Sequence, residues 1–234
     1  GKPLPYVYSL PLSIEEIELD PPQSGEVLVQ IKAAGLCHSD LVAINGERAK
    51  PVPMVIGHEA SGIVSKVGPD VDDLAVGDHV VPVYVANCGR CDMCQEGRPA
   101  LCQPATIANK AGTLIDGTTR LHSDGQIIFH HSGVAAFSEY AVISQNALVR
   151  IDPEIPFEVA ALFGCAVVTG VGSVVNTAKV KPGQSVAIVG LGGVGLNALL
   201  AAVASGAGQV VAVDAKEKKL QIASQFGAHD TFST

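Results

Sequence analysis

The chain has no tryptophan, only 4% aromatic residues and two methionines. With 25 glycines beside it, that scarcity favours aliphatic α/β packing with many tight turns over an aromatic binding surface. Charge is sparse at 16%, and basic residues are outnumbered, with 15 Lys plus Arg against 23 Asp plus Glu and a net charge of −8. That balance argues against partners such as nucleic acid or an anionic membrane. Disorder is excluded as well, because 47% of the 234 residues are hydrophobic, enough to bury a sizeable core. No basic and apolar leader precedes the first elements, so the expected location is cytoplasmic.

Residues 182–213 carry no charge at all, a length that a membrane helix would need. Gly190, Gly192, Gly193, Gly195, Gly206 and Gly208 interrupt this stretch. It reads instead as a buried strand, a turn and a helix.

What is present divides the chain in two. Up to about residue 150 there are short apolar runs at 26–31, 62–67, 79–83 and 139–143, with turn signals at Pro21-Pro22, Gly68-Pro69-Asp70 and Gly77-Asp78. These predict a mostly antiparallel or barrel-like domain, with 103–132 as a long, poorly periodic excursion. Beyond residue 155 longer elements alternate: helix over 158–179, strand 185–189, helix 196–205, strand 210–213 and helix 216–226. Such alternation predicts a parallel βαβ sheet. Only two of its strands are expected before Thr234, too few to cover a core, so the second domain is expected to be incomplete.

All six cysteines fall into two groups. Cys88, Cys91, Cys94 and Cys102 are spaced C-x2-C-x2-C-x7-C, which lets one short loop wrap a tetrahedral ion with no open position, a structural zinc. Two disulfides are the alternative, disfavoured without secretory context. A nucleic-acid-binding ribbon would need more than Arg90 and Arg98 nearby. Cys37 and Cys165 are left over, and between them stands His58 in Gly57-His-Glu-Ala-Ser-Gly62. Singly, each is an ordinary core cysteine or a hydrogen-bonded histidine. Together, two thiolates and an imidazole leave a fourth zinc position open to an exogenous oxygen.

Gly190-Leu-Gly192-Gly193-Val194-Gly195 follows a predicted strand and opens a predicted helix, the context in which G-x-G-x-x-G cradles a pyrophosphate. About twenty residues past Gly195, Asp214 ends the next strand, where a carboxylate accepts from ribose hydroxyls and favours NAD over NADP. A packing turn with Asp214 as a helix cap is the alternative, disfavoured by that context and spacing.

Taken in order, these motifs resemble the zinc-dependent alcohol dehydrogenases of the medium-chain dehydrogenase/reductase superfamily, along essentially the whole chain. The resemblance implies an α/β protein: a GroES-like barrel catalytic domain over 1–166, then the beginning of a Rossmann domain over 167–234. It implies two zinc ions per chain, NAD, a small-molecule alcohol or aldehyde, and a homodimer or homotetramer at full length. Cys37, His58 and Cys165 match the catalytic zinc ligands, Glu59 the acidic neighbour, and Asp40 the carboxylate that orients the zinc-bound histidine. Ser39 matches the hydroxyl that accepts the substrate proton, and Tyr84 a wall of the alcohol pocket. Thr169 and Val194 match positions lining the nicotinamide, whereas Asp214 and Lys219 match those holding the adenosine ribose.

The excursion with Gly112-Thr-Leu-Ile-Asp-Gly-Thr-Thr-Arg120 and His130-His131 is similar to that of the liver-type and glutathione-dependent formaldehyde dehydrogenase branches. Departures from the pattern are Val42, where a relay histidine occurs in several members, and His38, where some place an arginine on the pyrophosphate. The family's first strand is expected to be missing before Gly1. Reversible NAD-linked oxidation of a primary or secondary alcohol is the implied activity. Glutathione-dependent formaldehyde oxidation is the runner-up, weakened by Arg48 where an acidic residue is expected, and a non-catalytic NAD-binding scaffold is a third reading.

Overall fold

A computed structural model describes residues 12–234, so the expectation about the first strand lies outside the described residues. The chain divides into two compact units, Gly1–Gly164 and Cys165–Thr234.

In chain order the first unit holds β1 (Glu18–Leu19), β2 (Glu26–Gly35), α1 (His38–Ile44), β3 (Met54–Val55), β4 (Glu59–Val67) and β5 (His79–Pro82). It continues with α2 (Asp92–Gln95), α3 (Gln103–Ala111), β6 (Leu121–Ser123), β7 (Gln126–His130), β8 (Tyr140–Ser144), β9 (Leu148–Arg150) and α4 (Phe157–Ala160). A five-stranded antiparallel sheet runs β8-β2-β4-β5-β9. Its inner face buries Val27, Val29, Ala60, Val64, Val80 and Ile143 in one cluster, the alternation that period-2 sequence patterning dictates. The β2 and β4 backbones close tightly: a Cβ on Gly62 would overlap the Gln30 carbonyl, and register shifts between Leu28 and Val29 and between Ile31 and Ala33 bend the pair.

The excursion over 103–132 is not structureless. It contains α3 and the β6–β7 hairpin, whose two-residue turn is Asp124-Gly125, both at positive φ (49° and 75°). That is the primed turn whose twist matches a hairpin. With β1 and β3 these strands form a second sheet, ordered β1-β6-β7-β3.

The second unit contains α5 (Ala166–Gly172), β10 (Ser185–Val189), α6 (Gly193–Ala204), β11 (Gln209–Val213), α7 (Glu217–Gln225) and β12 (Asp230–Phe232). Its sheet is parallel in the order β10-β11-β12, with Leu191, Leu199, Ala202, Val210, Ala212 and Leu220 as its core. A third strand is thus present where two were expected. β12 is only three residues long and fully exposed, so it carries no apolar signal.

The helix expected over 158–179 is interrupted. After α4 the chain winds as a 3-10 turn to Gly164, and Cys165 leaves helical geometry at φ −141°, ψ −71°. A Cβ on Gly164 would overlap the Pro82 carbonyl, so only glycine allows the backbone to pack this closely on β5 at the end of that turn. After α5 the residues Ser173–Ala178 form a π-helical stretch that ends at Lys179 in the left-handed region. No single helix among the described residues is long and apolar enough to cross a membrane.

Candidate metal centres and nucleotide turn

The four cysteines of the lobe converge on one point. Their sulfurs all lie within 4.8 Å of one another, with Cys91 Sγ 3.5 Å from Cys94 Sγ and 3.9 Å from Cys102 Sγ. Zinc–sulfur bonds of about 2.3 Å in a tetrahedron set sulfur–sulfur edges near about 3.8 Å, so the donor set fits a zinc ion. Backbone donors favour the thiolates: Cys88 N–H points to Cys102 Sγ and Cys91 N–H to Cys88 Sγ, each at 3.3 Å. The Arg90 N–H pulls the Cys88 thiol down, and the N–H groups of Cys94 and Gln103 pull Cys91 to about 6. Burial and the neighbouring thiols push Cys94 up to about 11.

The second group is assembled by the ends of β2 and β4. Gly35 pairs with Glu59, and a Cβ at Gly35 would come within 2.7 Å of Glu59 Oε2. Cys37, two residues past that pair, caps α1, while His58 and Glu59 open β4, both buried. Ligand atoms of Cys37, His58 and Glu59 lie within 4.8 Å of one another. Asp40, 2% exposed in the first turn of α1, binds this set together. Its Oδ2 accepts from Cys37 N–H at 2.9 Å, and its Oδ1 faces His58 Nδ1 at 3.1 Å. With Nδ1 protonated toward a carboxylate, Nε2 is the His58 nitrogen that carries the lone pair a metal requires. The chemistry of these donors therefore fits zinc. Burial alone would raise the pKa of Asp40, but the close His131 ring nitrogen and the hydrogen bonds from His58 and Cys37 N–H outweigh it and hold the carboxyl well below the usual range.

Other predicted residues surround this set. Ser39 and Val42 are half-buried on α1, His38 is exposed at its start, and the Tyr84 ring meets that of His58 edge-on at 6.1 Å. Cys165 opens the second unit, one peptide bond beyond Gly164. Sequence reasoning missed two buried features. His131 Nδ1 also lies 3.1 Å from Asp40 Oδ1, off the line of a hydrogen bond, and a bidentate Arg120–Glu26 pair joins the excursion to β2.

In the second unit the glycine turn has the close geometry its motif requires. Gly190 is at φ +90°, and a Cβ on Gly195 would overlap the Gly190 carbonyl oxygen. A Cβ on Gly192, the N-cap of α6, would meet nothing within 4 Å, and the same holds for Gly190. The helix N-terminus is therefore approachable, which suits a pyrophosphate. Asp214 ties the turn to β11: Oδ2 accepts from Leu191 N–H at 2.7 Å and Lys219 Nζ at 3.3 Å, and Oδ1 from Lys216 N–H at 2.9 Å. These N–H groups, Leu191 first, lower its pKa. Thr169 is exposed on α5 and Val194 on the first turn of α6.

The alcohol dehydrogenase GroES-like domain family matches residues 23–154. Among curated relatives, S-(hydroxymethyl)glutathione dehydrogenase of Synechocystis is 44% identical over 221 residues, and that of Escherichia coli is 43% identical. These alignments take in 94% of this chain, which spans about 60% of the length of those relatives. Among solved structures, an alcohol dehydrogenase zinc-binding domain protein from Burkholderia ambifaria is similar at TM-score 0.90 and 38% identity, over 94% of this chain and 60% of that one. Benzyl alcohol dehydrogenase from Acinetobacter calcoaceticus follows at 0.87 and 38%, over 93% and 59%.

Proposed function

Because the chain belongs to the zinc-dependent alcohol dehydrogenases of the medium-chain dehydrogenase/reductase superfamily, we propose that the whole protein reversibly oxidises a primary or secondary alcohol with NAD. The observation that carries this reading is the Asp40 carboxylate, which grips Cys37 through its backbone and His58 through its ring. A scaffold protein has no need to hold a thiol and an imidazole in that relation.

Cys37 and His58, through Nε2, would hold one zinc, with Cys165 the third ligand that the family pattern supplies, and Cys88, Cys91, Cys94 and Cys102 would hold the other. When bound, the first zinc supplies Lewis acidity to the alcohol oxygen, and NAD supplies the acceptor for the carbinol hydrogen with its electron pair. Asp40 keeps the His58 ring in one tautomer and one orientation. Ser39, one residue before Asp40, takes the hydroxyl proton. Val42 offers no further proton acceptor, so the proton leaves by way of water. Tyr84 walls the alcohol pocket beside His58. The backbone N–H groups at Gly192 and Gly193 bind the cofactor pyrophosphate, His38 assists there, Asp214 and Lys219 hold the ribose, and Thr169 and Val194 flank the nicotinamide.

A second reading is favoured by the names of the curated relatives. S-(Hydroxymethyl)glutathione is itself a primary alcohol, so its oxidation needs the same groups and differs only in recognising the peptide. Exposed Arg48 is poorly suited to the glutathione amine. The test is NADH formation by the whole protein on short, long and benzylic alcohols, with formaldehyde plus glutathione alongside, for wild type and Cys37→Ser. Plain-alcohol turnover abolished in Cys37→Ser, with one of two zincs lost, is the expected result. Activity confined to the glutathione mixture selects the second reading, and retained activity in a metal-verified Cys37→Ser protein overturns both.

A further inference from the structure

His131 is 4% exposed, directly follows β7, and is used by no step above. Its backbone is pinned on both sides, with its N–H donating to Val55 O at 3.0 Å and its carbonyl accepting from Val134 N–H at 3.1 Å. From that fixed position its Nδ1 reaches to 3.1 Å from Asp40 Oδ1, the same oxygen that faces His58 Nδ1. The two imidazoles meet edge to face, centroids 5.1 Å apart at 82°. Asp40 is buried with no lysine or arginine partner among the described residues. A buried carboxylate needs every donor it can find. Cys37 N–H and His58 supply two, and both belong to residues of the metal site. A third polar contact comes from a separate sheet: His131 Nδ1 faces the same oxygen at 3.1 Å, off the line of a hydrogen bond, and no other partner engages that nitrogen.

We propose that His131 is a positioning residue for the catalytic zinc: it anchors Asp40 from the second sheet, so that His58 presents Nε2 to the metal in a fixed direction. The inference rests on the reading of Cys37, His58 and Cys165 as zinc ligands. Outer partners of metal ligands typically affect metal affinity by about 10–100-fold, although they never touch the ion. Without His131 the carboxylate is tied down only by the groups it is meant to orient.

The test uses the whole zinc-loaded protein in wild-type, His131→Phe, His131→Asn, His131→Leu and Cys37→Ser forms. Phenylalanine keeps the ring packing against His58 but has no donor, whereas the asparagine amide occupies roughly the place of Nδ1. Zinc release to a chromophoric chelator separates the two ions, and the visible absorption of cobalt placed in the catalytic site reports its ligand geometry. We expect His131→Phe to release one zinc about 10-fold faster while the other leaves at the wild-type rate, with a shifted cobalt band. His131→Asn should restore both readouts.

Wild-type release and an unshifted band in His131→Phe overturn the proposal. So does His131→Asn behaving like His131→Phe, because shape rather than the donor then matters. If His131→Phe does not fold, His131→Leu against His131→Asn makes the same comparison. If neither apolar variant folds, the cobalt band of His131→Asn decides, a wild-type band supporting the role and a shifted one overturning it. Cys37→Ser retaining both zincs would instead overturn the reading of the site itself.

Discussion

His130 offers a quantitative test of the first unit's interior. It is wholly buried, and its Nε2 accepts from Arg120 N–H at 3.2 Å while Nδ1 finds no partner. Burial, and then the Arg120 charge, push its pKa down to about 4, with Asp116 pulling partly the other way. In the unfolded chain a histidine titrates near about 6.5. The native state therefore stays neutral over a window in which the unfolded state takes up a proton. The stabilisation is fully present above about pH 6.5 and is lost as pH falls through about 4.

The difference of about 2.5 units, at about 1.4 kcal/mol each, amounts to about 3 kcal/mol, with a slope of at most about 1.4 kcal/mol per pH unit. Urea unfolding of wild type and His130→Phe from about pH 7 to about pH 4.5 measures it as a difference between the two proteins. Acid loss of zinc is common to both and cancels. Losing the acceptor for Arg120 N–H adds a constant offset. The wild-type curve should fall relative to the variant as pH drops, and parallel curves would refute the reasoning.

Two further expectations follow from close contacts. Arg120 grips Glu26 at 2.7 and 2.8 Å, both nearly buried, so Glu26→Gln strands a buried cation at a cost of about 3 kcal/mol, Asp116 at 3.0 Å compensating in part. Scanning calorimetry should show the melting temperature reduced by on the order of 10 °C, and an unchanged midpoint would contradict the account. Gly195→Ala places a methyl on the Gly190 carbonyl oxygen, so the turn must open. NADH fluorescence titration should show affinity for the cofactor weakened about 5- to 150-fold, corresponding to overpacking of about 1–3 kcal/mol, at unchanged zinc content.

What could be read from sequence was what is local. The lobe cysteines sit in one short loop, and the glycine turn lies between its own strand and helix, so spacing alone places their groups together. Strand positions followed from short apolar runs between turn signals, as at β2 and β8. The remainder depends on partners distant in sequence. Glu26 in β2 looks like an edge charge until Arg120 arrives, and His131 looks like an ordinary strand-end residue until the second sheet carries it to Asp40. The 3-10 turn that ends at Gly164 packs its backbone on the Pro82 carbonyl, a contact that no helical pattern encodes. The β6–β7 hairpin was legible after all, since Asp124-Gly125 between two short apolar runs is a strong turn signal that the surrounding irregular sequence masks.

The strand order β8-β2-β4-β5-β9 also fixes a sequence of events during synthesis. β2 can zip onto β4 early, but its other edge belongs to β8, with Val27 opposite Ile143. At ribosomal speeds of roughly 5–20 residues per second, that edge waits on the order of 10 s for its partner. For that time an apolar strand presents a row of unpaired N–H and C=O groups, the template on which a neighbouring nascent chain can add. The cysteine lobe has no such wait, because its four ligands leave the ribosome almost together. Metal supply at the moment of translation can thus tether the middle of the domain while β2 is still half open.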